Sequence, residues 1–249
     1  MENTLFSGDY IIVNKIVYGL RTPDRIPLTG ITIPSKKIIS FFKPKRQEVV
    51  VFYYPLKDIY KTDENVIYVK RIIGEPGDTV EIRNKVVYIN NESIVENEGV
   101  NSNSTRIKIP NQPNEKIYPQ GKMWNEDFYG PLVVPKENMI VFLNKKNIYE
   151  WAQVIEKETG EGSVIPEADG VKINGQFVTS YTFKNNYYFM LGDNREDSMD
   201  SRFWGFVPED FIIGRASIIY WSVENEIVVD SSKGFFPKIR FNRVLNFIN

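Results

Sequence analysis

The chain contains no cysteine and no histidine. The first absence removes disulfides, thiolate zinc sites and cysteine nucleophiles. The second removes the imidazole base of the common catalytic triads and the commonest ligand of transition metals. A hydrolase of this composition must draw its base from Lys, Asp, Glu or Tyr. No apolar run reaches the roughly 18 to 20 residues that cross a bilayer as a helix, and no signal-peptide pattern opens the chain. An excess of either charge is missing too. Lys and Arg number 31 against 32 Asp and Glu, for a net charge of −1, and the cations are dispersed. That balance offers no basic face to a nucleic acid, so no such partner is expected. No cofactor is expected either.

What is present is an ordinary globular composition. The chain has 249 residues, 42% of them hydrophobic and 25% charged, enough to bury a core as one large domain or one domain with an insertion. Short runs rich in Val, Ile and Tyr recur at Tyr10–Val13, Val49–Tyr53, Val66–Ile73, Thr79–Ile82, Val86–Ile89, Tyr187–Leu191 and Ile212–Tyr220. Turn signals such as Pro76-Gly77-Asp78 and Asn90-Asn91 separate them. The predicted fold is mainly β, an antiparallel sheet or barrel core with an inserted α+β secondary domain. One helix is predicted from Asn147 to Thr159, with Ile148, Trp151, Ala152 and Ile155 on one face and Gly160 as its stop. Between Ser93 and Pro113 the chain is rich in Asn, Ser and Glu, the composition of a long loop. Residues 94–175 are read as the inserted domain, and 1–93 with 176–249 as the β core.

Two segments carry candidate chemistry. Lys70 lies inside the apolar run Val66–Ile73. Strand alternation puts it on one face with Tyr68 and Ile72, and puts Arg71 on the other with Val69 and Ile73. An ammonium buried among apolar groups loses its charge more easily and can serve as a base near neutral pH. The alternative is an edge-strand lysine whose stem lies on the sheet and whose head reaches water. The second segment runs from Gly192 through Asp193, Asn194, Arg195, Ser198, Asp200 and Arg202 to Gly205. Its aspartates do not fit a calcium loop, because the central glycine and the bidentate glutamate are missing. Asx-type turns and an Asp–Arg ion pair are its structural reading.

Together these segments resemble the signature boxes of the type I signal peptidases. Gly192-Asp193-Asn194-Arg195 with Ser198, Asp200, Ser201 and Arg202 looks like the last box of that family. Val69-Lys70-Arg71-Ile72-Ile73-Gly74 with Pro76-Gly77-Asp78 resembles the box that carries the catalytic lysine. Asn3 to Lys15 is similar to the stretch after the catalytic serine. Arg46 to Phe52 resembles a further box, with Gln47-Glu48 in place of its usual Gly-Asp, and Glu75 stands where the family often has an apolar residue. Tyr129 to Pro135 is similar to a segment of some members from the Bacteroidetes group. The four boxes follow the family's order across nearly the whole chain.

The resemblance implies a serine endopeptidase that removes N-terminal signal peptides from secretory preproteins at Ala-x-Ala-like sites by a Ser-Lys dyad. Lys70 would be the base and Ser198 the hydroxyl that orients its amine. Arg71, Asp193, Asp200 and Arg202 would support them. Met1, Leu5, Tyr68 and Met190 would line the substrate pocket nearest the scissile bond, with plain core packing as their alternative. In the family the nucleophile stands in Ser-Met-x-x-Thr-Leu. Here Met1-Glu2-Asn3-Thr4-Leu5 opens on that methionine, so the serine is expected immediately before Met1. Ser7 falls in another register and does not replace it. The implied location is the cell inner membrane, with the catalytic domain on the periplasmic side. A lipid surface would be a partner, and Lys36–Arg46 and Lys233–Phe241, which mix cations with Phe and Ile, suit an anionic interface or a solvated rim. A catalytically inactive relative that binds apolar peptides or a protein partner stays open. A Ser-Lys self-cleaving regulator lacks its basic helix-turn-helix here.

Overall fold

The computed structural model describes residues 1, 4–22, 37–56, 66–96, 100, 106–224 and 238–248. Lys36 and Lys233–Pro237, from the two basic and aromatic stretches, lie outside the described residues. A seven-stranded antiparallel sheet forms the centre of the molecule. Its order is Asp9–Asn14, Ile212–Ser222, Val49–Tyr53, Ile67–Gly74, Tyr187–Leu191 and Val207–Pro208, with Asn246–Phe247 also pairing Ile212–Ser222. Val49–Tyr53 and Tyr187–Leu191 are unbroken apolar runs because both faces of these strands are covered. The edge strand Asp9–Asn14 instead alternates, with Ile11 and Val13 turned inward and Tyr10 and Ile12 turned outward. Among the described residues this sheet remains open. The fold is thus mainly β and antiparallel, as the strand runs predict, with no closed barrel among the described residues.

A second sheet joins Glu92–Ser93, Val86–Ile89, Thr79–Arg83 and Phe128–Val133. Its two tight hairpins turn at Asn84-Lys85 and Asn90-Asn91, where all four residues take positive φ, the conformation that matches strand twist and that asparagine tolerates. A three-stranded sheet, Val164–Glu167, Gly170–Ile173 and Gln176–Val178, follows the helix, and Ile140–Phe142 pairs with Ser180–Thr182. Strand pairing thus runs across positions 94 and 175. The helix spans Ile148–Thr159 and buries Ile148, Trp151, Val154 and Ile155, while Gly160, at φ 108°, ends it. Its apolar face joins Val80, Ile82, Tyr129 and Leu132 of the second sheet and Ile73, Phe189 and Leu191 of the central sheet in one buried cluster. Between Ser93 and Phe128 the described residues form no helix or strand.

One detail of register sets up the site. Tyr187–Leu191 pairs with its neighbour only at Gly74, Ile72 and Arg71 and then leaves the sheet at Gly192. On its other side the neighbour continues in register, with Val50 opposite Lys70 and Phe52 opposite Tyr68. The loop after Leu191 is thereby delivered beside Lys70.

Candidate active site

Lys70 is 8% exposed, and its Nζ donates to Ser198 Oγ at 2.9 Å. Its neighbours on the same face, Tyr68 and Ile72, belong to a cluster with Val50, Phe52, Tyr188, Met190 and Trp204. Burial among these groups lowers the pKa of Lys70. The negative charges of Asp200, Asp193 and Asp197 pull it back up and Arg202 pushes it down, and the net shift is downward. The close approach of the hydroxyl depends on Gly192. A Cβ at that position would lie 2.1 Å from Ser198 Oγ and 3.2 Å from Lys70 Nζ, so any side chain there would displace the pair.

Two buried forked ion pairs hold the loop. Arg71 Nε and Nη2 donate to Asp193 Oδ1 and Oδ2 at 2.9 and 2.8 Å, and Arg71 Nη1 donates to Gln47 O at 2.7 Å. Arg202 Nε and Nη2 donate to Asp200 Oδ1 and Oδ2 at 2.9 Å each, and Nη2 also reaches Arg195 O at 2.8 Å. Asp200 accepts from Gly192 N at 3.2 Å and caps the short helix Ser201–Trp204 through Arg202 N. Burial alone would raise the Asp200 pKa. The Arg202 guanidinium outweighs it, helped by Gly192 N and Lys70, and holds the carboxyl below its usual range. Charges this deep persist only when they are paired in such geometry.

The beginning of the chain reaches the same place. Met1 O accepts from Thr4 N and Leu5 N at 3.0 and 2.8 Å, and Thr4 Oγ1 donates to Asp193 Oδ2. Lys70, Ser198, Arg71, Asp193, Asp200 and Arg202 therefore converge in one constellation. The four candidates for the substrate pocket do not. Met1 and Leu5 pack with Val69, Val49, Val51 and Ala216 on one face of the Lys70 strand. Tyr68 and Met190 lie in the cluster on the other face. Tyr68 is partly exposed, stacked on Tyr54 at 5.0 Å with Trp204 edge-on at 5.3 Å. Met190 has no exposed surface, so it is placed in the core beneath the site rather than at its surface. The structure gives roles to residues that the sequence motifs contain but assign none. They are Gly192, Ser201, whose Oγ accepts from Met190 N at 2.8 Å, and Thr4. Gly192 was visible as the residue opening the acidic loop, whereas nothing in the sequence pairs Thr4 with Asp193.

The family model described as signal peptidase, peptidase S26, matches residues 1–221. Signal peptidase I of Buchnera aphidicola subsp. Schizaphis graminum is 31% identical over 234 residues, covering 91% of this chain and 66% of that protein. Signal peptidase I of Pseudomonas aeruginosa is 28% identical over 233 residues, covering 89% and 62%. The chain thus spans slightly less than two thirds of the length of these two relatives. The crystal structure of a signal peptidase I from Enterococcus faecalis V583 is 24% identical, covers 72% of this chain and 100% of that one, and gives a TM-score of 0.35. Because the family match runs from Met1 past every residue of the constellation around Lys70, the chain belongs to the signal peptidase family, peptidase S26.

Proposed function

We propose that the protein is a serine endopeptidase that removes N-terminal signal peptides from secretory preproteins, with Lys70 as base and a serine immediately before Met1 as nucleophile. The observation that carries this reading is the buried Lys70 amine held on Ser198, with its pKa lowered by desolvation. A serine hydroxyl attacks poorly until a neighbouring base takes its proton, and a neutral lysine amine can do so. Neutral Lys70 accepts the proton as the serine oxygen bonds to the scissile carbonyl carbon. The resulting ammonium returns the proton to the leaving amine as the C–N bond breaks. Water, deprotonated by the same amine, then attacks the acyl carbon, and the ammonium returns that proton to the serine oxygen as the ester C–O bond breaks. Ser198 keeps the amine aimed throughout. The oxyanion would be met by the backbone N–H of the serine and a neighbouring donor, worth roughly 3 to 4 kcal/mol per donor.

The substrate would be an extended peptide with small residues at Ala-x-Ala-like positions after an apolar segment. Among the described residues, Ile67–Lys70 has no strand partner on the side that Tyr187–Leu191 has left, an edge to which such a peptide can add. Met1 and Leu5 on one face of that strand, and Tyr68 on the other, are the residues proposed to meet alternate side chains of the peptide. The proposed location is the cell inner membrane, catalytic domain on the periplasmic side, and exposed Phe41 and Phe42 beside Lys43 and Lys45 would suit an anionic lipid surface there. Among the described residues no helix is long and apolar enough to cross a membrane.

The test is cleavage of a secretory precursor by the chain preceded by a serine and an apolar helix. Cleavage is expected, and Lys70→Ala should lower the rate by about 10²- to 10⁴-fold, the usual contribution of a positioned base. Undiminished cleavage by Lys70→Ala would refute the base. No cleavage by the unsubstituted protein would favour a relative that binds peptides without cutting them.

A further inference from the structure

We propose that the segment 238–248 is a strap that holds the turn at Met1–Leu5 in register with Lys70, and that Arg243 is its positioning residue. The proposal rests on the peptidase reading above, because it concerns where the serine before Met1 would stand. The strap lies beyond residue 221, where the family match ends.

The strap is anchored on the central sheet. Asn246 and Phe247 pair with Ile219 and Ile218, Leu245 N donates to Ile219 O at 2.7 Å, and Ile248 N donates to Ser217 O at 3.0 Å. From that anchor two arginines reach the other end of the chain. Arg243 Nη2 donates to Thr4 O at 2.8 Å and to Asp9 Oδ2 at 2.5 Å, and its Nε meets both Asp9 oxygens at 3.2 Å. Arg240 Nη2 donates to Ser7 O at 2.6 Å and to Val223 O at 2.7 Å. The Phe6 ring lies under Arg243, 4.2 Å from its guanidinium carbon, and more distantly under Arg240. The Asp9 side chain is only 1% exposed and also accepts from Phe6 N at 2.8 Å and Ser222 Oγ at 2.6 Å. It is thus a buried carboxylate with a defined partner for each lone pair, and it fixes the loop through which the chain enters its first strand.

Thr4 is consequently gripped from both sides. Its hydroxyl is tied to Asp193, which Arg71 holds next to Lys70, and its carbonyl is tied to Arg243 of the strap. Its own amide closes the turn onto Met1 O. A residue before Met1 has its Cα about 3.8 Å from that of Met1, so a slack turn would let the nucleophile drift. Misplacement of a reacting oxygen by about 1 Å can cost about 100-fold in rate.

The test uses the full chain preceded by a serine, with Arg243→Met and Arg243→Lys. Arg243→Met is expected to lower kcat on a soluble precursor peptide by about 100-fold with KM within about twofold. It should also accelerate hydrogen exchange at the Thr4 and Leu5 amides and leave exchange at Tyr187–Leu191 unchanged. Arg243→Lys, which keeps the charge but not the fork, should recover part of both effects and carries the test if the methionine variant fails to fold. Unchanged exchange at Thr4 and Leu5 overturns the strap, and accelerated exchange with kcat intact overturns its positioning role. Failure of the unsubstituted protein to cleave overturns the peptidase reading instead, and the exchange result alone then decides whether the strap holds the turn.

Discussion

At the scale of single residues, Lys70 carries the tension between stability and chemistry. Its neighbours disfavour the ammonium, so the unfolded chain binds its proton more tightly than the folded one. The sign follows directly. Below the lowered native pKa the folded protein bears the whole cost of the buried charge. As pH rises from there toward the ordinary lysine value of 10.5 that cost disappears. Lys70→Met is therefore expected to be more stable than the parent at neutral pH, with an advantage that shrinks toward high pH. Denaturant midpoints measured across the range check this, and an advantage that grows with pH would contradict it. The same direction governs the proposed activity, which should rise with pH as Lys70 loses its proton. That a lysine in an apolar strand was worth attention is visible in the residue string. Whether its head reaches water or a hydroxyl is not, because Ser198 lies 128 positions away and only the early departure of Tyr187–Leu191 from the sheet brings it in.

At the scale of elements, the helix Ile148–Thr159 braces the acidic loop from behind. Gln153 Nε2 donates to Trp204 O at 2.6 Å and Lys157 Nζ to Phe206 O at 2.7 Å, one turn apart on the same face. Near its end, Glu158 accepts from the hydroxyls of Tyr181 and Tyr187 at 2.7 and 3.0 Å and from Lys184 N and Asn185 N at 2.9 and 3.0 Å. Glu158→Ala would leave these four donors, and Asn185 Nδ2 at 3.1 Å, without their acceptor. It is expected to cost about 3 kcal/mol, given about 1 to 3 kcal/mol for each truly stranded group and partial rescue by water. Urea unfolding measures this, and a loss under about 0.5 kcal/mol, the range of an ordinary surface change, would contradict it. The helix itself was legible from the spacing of Ile148, Trp151, Ala152 and Ile155 and from Gly160. The strands at Val49–Tyr53, Val86–Ile89 and Tyr187–Leu191 were legible to the residue, because β-branched and aromatic runs bounded by turns have few other solutions. The short strands between Phe128 and Thr182 were not, since their residues become strands only by pairing with distant partners.

At the scale of the whole molecule, the central sheet and the second sheet share one buried cluster, which the helix completes through Trp151. Cooperative unfolding of both is the expected consequence. Trp151→Ala should lower stability by about 3 to 5 kcal/mol and move one common midpoint, whether unfolding is followed by far-UV circular dichroism or by tryptophan fluorescence. Two separated transitions, with the mutation moving only one of them, would show that the units are energetically independent. The strap adds a second long-range tie, joining residues 239 positions apart through Arg243 and Thr4.

The sequence alone determined the chemistry available to this protein. With no histidine and no cysteine, a lysine in an apolar run and an acidic loop ending in Asp200-Ser201-Arg202, the possible bases and their counter-ions were already few. Local pattern also settled most central strands, because alternation and turn residues act over neighbouring positions. Tertiary structure alone decided that the sheet stays open among the described residues, that Met190 lies in the core while Met1 and Leu5 lie on the opposite face from Tyr68, and that Thr4 is held between Asp193 and Arg243. Each of these depends on where a strand ends or which distant segment covers it, and such facts follow from packing across the whole fold rather than from the order of neighbouring residues.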